Sequence, residues 1–294
     1  MQHSNIVKVV LASTLFAVIA RFVQVFKLTE SATGFSKNDK GSLWGQTIMF
    51  IVIIISVIAP FIATTLFSKR QPVRSPKLNK SPKFAIIGYI CAGTFALQAV
   101  LLLIDGAFTT GVLVAALLYL LSAFAIAIYT TTALKKIKFP TIIMAAPVAL
   151  FVFLLIEKFI SFNGMSTLIE NVFTVVYLSL QTLFFLTHAK LVSSIEIRKS
   201  SRRILTLSAL TLLFSAVCSI PNLAVMLIGK GELVHDGSYN IAFIVYGIYS
   251  FIYSSVVYAK RQMPSSGVPS VKKLNVGEQP EVTTKFLVPD NEIH

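Results

Sequence analysis

Eight times along this chain an apolar run continues for roughly 20–25 residues, the length of helix that crosses a hydrocarbon core of ~30 Å. The runs are 6–26, 43–67, 84–104, 112–134, 141–162, 167–189, 204–228 and 239–258. None alternates strictly in polarity, as the ~10-residue strands of a membrane barrel do, and a helix satisfies its own backbone where lipid offers no partner. The expected fold is therefore all-α: a polytopic membrane bundle of eight transmembrane helices over residues 1–261. A tail, 262–294, follows. Its polar composition and scattered Pro264, Pro269, Pro280 and Pro289 read as disordered and cytoplasmic.

Orientation follows from the stretch 68–83, SKRQPVRSPKLNKSPK, which carries six Lys or Arg, three prolines and no acid. Such a segment belongs in a short cytoplasmic loop, because positively charged loops stay on the cytoplasmic side. If it does, 20 of the 26 Lys and Arg fall on that side. Both termini are then cytoplasmic. A cysteine introduced at Ser75 is expected to be shielded from an impermeant thiol reagent in intact cells, and one at Ser36 to react. The opposite labelling would invert this topology.

With 55% hydrophobic and 13% charged residues, the chain is too apolar for a soluble domain, in which about 25% are charged. The net charge of +14 lies in loops between apolar runs and not on a folded basic face, so no nucleic-acid partner is expected. The basic loops instead suit anionic lipid, and a partner subunit is a further possibility. The first apolar run exceeds the h-region of a cleaved signal, ~7–15 residues, and reads as a retained anchor in the cell membrane. Cys91 and Cys218 both lie within spans and read as small packing residues. The short links 105–111 and 163–166 make spans three and four, and five and six, antiparallel neighbours.

Ionisable groups inside spans are costly unless they face a cavity or a partner. Arg21, Glu157 and Glu170 all lie near the outer ends of their spans, with Gln46, Gln98, Asn171 and Asn222 in the same layer and Trp44 as an interface anchor. One reading makes Arg21, Gln98, Glu157, Glu170 and Asn222 the binding residues of an outward-facing polar cavity. There Glu157 and Glu170, on one tight hairpin, share a proton or bind a cation, and Arg21 neutralises one of them. The other reading has them snorkel to the interface or cap helix ends. Lys158 points away from Glu157 on the helix, towards headgroups.

Pro60, Pro147 and Pro221 fall within spans two, five and seven, where each can kink its helix; Pro221 with Asn222 is the best placed to make a ligand site. Gln181 reads as interhelical glue, and His188, with no second ligand at metal spacing, as an interfacial residue. No Walker, zinc-protease, nucleophile-elbow or C-x-x-C pattern is present. No catalytic residue, metal or cofactor is thus expected, and the protein does not read as an enzyme. Two functions fit what remains: a transporter or permease-like subunit for a small solute or ion, and a non-transporting sensor or scaffold subunit.

Overall fold

A computed structural model describes residues 3–29, 40–70, 82–105, 109–135, 140–162, 169–229 and 241–259. Most of the basic stretch, 71–81, the link 30–39, expected to be external, and the tail 262–294 lie outside them. Among the described residues the fold is built from eight α-helices: α1 His3–Leu28, α2 Lys40–Arg70, α3 Pro82–Asp105, α4 Thr110–Leu134, α5 Ala145–Phe162, α6 Ile169–Val192, α7 Ile197–Leu227 and α8 Ile241–Ala259. Each covers one apolar run, and all eight are long and apolar enough to cross a membrane. The described residues form an all-helical fold with the make-up of a multi-pass membrane protein.

Two helix starts depart from the sequence expectation. α7 begins at Ile197 and not near Ile204, so Arg198, Lys199, Arg202 and Arg203, expected in a loop, form its first two turns. At ~1.5 Å per residue this 31-residue helix outruns a ~30 Å core, so its charged turns need not enter lipid. In span five a single 3-10 turn, Thr141–Met144, precedes α5. Pro147 is therefore in the first turn of α5 and not in mid-span, and there its missing N–H costs nothing.

The helices alternate in direction. The hydroxyls of Thr64, late in α2, and Thr206, early in α7, are 3.0 Å apart, and those of Tyr89, early in α3, and Thr131, late in α4, are also 3.0 Å apart. From α3 to α8 each helix packs on the next, and α8 closes back on α3, giving a ring of six. α1 and α2 pack on each other and on α7 from outside that ring. α7 is thus shared by both groups and is the most enclosed helix, with 78% of its apolar window buried against 22% for α5.

The burial of α7 explains its composition. Ser201, Ser208, Ser215 and Asn222 recur every seven residues and are all buried, a spacing that keeps one seam facing a neighbour. Along that seam Ser208 Oγ lies 2.6 Å from Ser254 Oγ of α8, and Tyr258 donates its hydroxyl to the carbonyl of Ser201. Gly247 of α8 meets Ser215 so closely that a Cβ there would overlap Ser215 Oγ and stand 2.8 Å from Ser215 Cβ. Gly88 brings α3 equally near α4: its Cβ would meet Thr130 Cγ2 at 2.8 Å. Small residues at a contact let membrane helices pack closely, and that contact is what holds them.

Candidate functional site

Among the described residues, polar side chains gather at the end of the bundle expected to be outer and again in the interior of the ring. At the outer end Arg21 of α1 is 4% exposed and donates from Nη1 to Gln24 Oε1 at 2.7 Å. Gln24 Nε2 donates to Gln46 Oε1 of α2 at 2.7 Å, and Gln46 Nε2 to the carbonyl of Leu28 at 3.0 Å. The guanidinium also lies 5.1 Å from the ring centre of Phe173 on α6, an attractive cation–π placement. Arg21 is held by a relay that ties α1 to α2. Leucine in its place is expected to leave Gln24 Oε1 without its donor and to cost about 1–3 kcal/mol, read as a lower melting temperature in detergent.

The other sequence-nominated residues are dispersed. Asn222 on α7, next to Pro221, is buried, and its Oδ1 has no partner. Gln98 on α3 is half-buried, and Glu157 on α5 is exposed. The side chains of Glu170 and Asn171 lie outside the described ones, although α5 and α6, which carry the two glutamates, do pack together. Trp44 is 72% exposed, as an interface anchor would be. Arg21 thus stands on α1, outside the ring, while Gln98, Glu157, Glu170 and Asn222 belong to the ring helices α3, α5, α6 and α7.

The interior of the ring is aromatic along its length. Tyr177 of α6 and Phe243 of α8 pack at 4.4 Å between ring centres, Phe95 of α3 stacks on Tyr246 of α8 at 4.2 Å, and Phe151 of α5 stacks on Phe185 of α6 at 5.3 Å. Within this column sits His188. Contrary to the interfacial placement expected from sequence, it is fully buried, with Tyr253 at 4.1 Å, Tyr129 at 4.9 Å and Phe184 at 5.9 Å between ring centres. Neither of its nitrogens has a hydrogen-bond partner.

Periodicity puts further polar groups beside it. Gln181 lies seven residues, two turns, before His188 and so shares its face of α6. Tyr246, Tyr249 and Tyr253 stand at i, i+3 and i+7 on α8. Gln181 Nε2 donates to Ser250 Oγ at 3.4 Å, which is the interhelical bond its sequence position suggested, but its Oε1 is buried with no partner. The hydroxyls of Tyr246 and Tyr249 are in the same state. His188, Gln181, Tyr246 and Tyr249, on two facing helices, together carry five buried polar atoms without partners, at about 1–3 kcal/mol each, where native interiors leave few such groups.

No protein-family model, curated protein or solved structure matches this chain. Residue chemistry alone therefore carries the functional reading. Neutral imidazole offers one donor and one acceptor, the amide oxygen accepts, and each phenol both donates and accepts. Around them aromatic rings pack face to face and edge to face. Among the described residues no group of three or more His, Cys, Asp or Glu comes together. The arrangement presents several directed hydrogen-bonding groups inside an apolar wall, a combination that solute pockets also use.

Proposed function

We propose that the protein is a transporter of the cell membrane for a small polar solute, held in the interior of the six-helix ring by His188, Gln181, Tyr246 and Tyr249. The observation that supports this is the set of five partnerless polar atoms on facing surfaces of α6 and α8. A chain selected only for packing would replace them with apolar groups of similar shape, at little cost or with a gain in stability. Transporters commonly hold their solute near the middle of the membrane, between helices that move against each other. On this reading Gln98 and Glu157, on α3 and α5 of the ring, line the way in from the outer end. Arg21 and Asn222 at the α1–α7 side contribute the remaining polar groups.

The test is a single-particle map of the full chain in nanodiscs at a resolution that shows ordered water. The proposal expects non-protein density within hydrogen-bonding distance of His188 and of Gln181 Oε1 or the Tyr249 hydroxyl. If these side chains instead bond to protein carbonyls and leave no such density, the transporter reading fails. The sensor or scaffold reading then takes its place.

A further inference from the structure

A well-formed cleft lies away from that column, at the end of the bundle where α2 and α6 finish and α7 starts. It encloses about 460 Å³, within the range of small-molecule pockets. Phe61, Leu183, Leu186 and Leu207 form its apolar wall, and Lys69, Lys190, Lys199, Arg202 and Arg203 stand around it with one acid, Glu196. Glu196 accepts from Lys190 at 3.1 Å and from Lys199 at 3.4 Å. These partners, Lys190 first, hold its carboxyl below the usual carboxylate range. Among the described residues Lys69, Arg202 and Arg203 have no carboxylate partner. Arg202 Nε is buried without an acceptor.

This charge pattern runs against helix preference. The first turns of a helix carry partial positive charge and favour acids, yet α7 opens with Arg198, Lys199, Arg202 and Arg203 and no acid in its first turn. Crowded cations at a positive helix end are relieved by an anion, and phosphate at a helix N-terminus is such an anion. The walls select what carries it. Phe61, Leu183 and Leu186 are 49%, 47% and 40% exposed, so the apolar side of the cleft opens onto the surface that faces hydrocarbon.

We propose that this cleft binds one anionic phospholipid, its phosphate held by Arg202, Arg203 and Lys190 and the upper part of its acyl chain laid against Phe61, Leu183 and Leu186. Basic pockets between membrane helices on the cytoplasmic side commonly take such headgroups. A free phosphate would satisfy the cations and leave the apolar wall uncovered; a neutral lipid would do the reverse. The site is separate from the aromatic column and stands whether or not the chain transports a solute.

The experiment uses the full chain in neutral detergent, titrated with phosphatidylglycerol, phosphatidylcholine or sodium phosphate, with bound lipid counted by native mass spectrometry and stability followed by melting temperature. Phosphatidylglycerol is expected to give a one-lipid adduct and a higher melting temperature, and the other two neither. Arg202→Gln with Arg203→Gln is expected to weaken phosphatidylglycerol binding tenfold or more. Lys135→Gln, which removes an exposed cation at the same end of the bundle but outside the cleft, is expected to leave it unchanged. Arg203 and Lys69 are themselves exposed, so Arg203→Gln and Lys69→Gln each test the site without disturbing buried packing. Equal loss in Lys135→Gln, equal stabilisation by phosphate alone, or absence of the adduct would each overturn the assignment.

Discussion

Alanine at Gly247 is expected to destabilise the bundle by about 2 kcal/mol or more, the cost of forcing extra volume into a packed contact. Its Cβ would overlap Ser215 Oγ, stand 2.8 Å from Ser215 Cβ and come within 3.3 Å of Leu212 Cα, which is backbone. A side chain can turn aside; the backbone of the most enclosed helix cannot. At Gly88 the obstacles are all atoms of the Thr130 side chain, so alanine there is expected to cost less. The check is the melting temperature of both variants in the same detergent, with Gly247→Ala combined with Ser215→Gly as a rescue. If Gly247→Ala alone melts with the parent, α7 and α8 are not this close.

Leucine at His188 is expected to act in the opposite direction on stability and to abolish solute binding. Replacing a fully buried residue usually destabilises, but this imidazole leaves two nitrogens without partners, a penalty of about 1–3 kcal/mol per group that an apolar side chain removes. The variant should therefore melt at or above the parent temperature while losing any solute-dependent rise in that temperature. Such an exchange of stability for function is characteristic of residues kept for binding. Ser208→Ala provides the contrast. That hydroxyl is bonded to Ser254 and to the Leu205 carbonyl, so its loss is expected to cost about 0.6 kcal/mol, the mean for an interhelical bond in a membrane. A marked drop in stability for His188→Leu would mean that the imidazole is a structural strut.

The architecture was legible in the sequence because lipid imposes one rule on every span: about twenty apolar residues in a helix that satisfies its own backbone. The rule says where lipid begins and not where a helix begins. Arg198 to Arg203 are excluded from hydrocarbon by charge but remain good helix formers, and α7 extends through them. The interior cluster was harder to see. His188 looked solitary because only His, Cys and carboxylates were counted as its partners, whereas its neighbours are the phenols of Tyr129 and Tyr253. The i, i+3, i+7 spacing of Tyr246, Tyr249 and Tyr253 was the available signal, since it places three phenols on one helix face. Gln24, three residues after Arg21 and therefore beside it on the helix, was likewise the sequence clue to the outer relay.

The central claim, that the interior of the ring holds a solute which reaches it from water, is tested most directly by chemical accessibility. Ser250 is fully buried and accepts a hydrogen bond from Gln181. In a Cys91→Ala, Cys218→Ala background, a cysteine at position 250 is to be treated in sealed vesicles with a small, charged, membrane-impermeant methanethiosulfonate. A cysteine at the exposed Trp44 position serves as the fully reactive standard. A transporter that opens its site to water predicts measurable modification of position 250 within minutes to hours, slowed by any solute that raises the melting temperature. No modification at position 250 from either side, while position 44 reacts to completion, would contradict the account.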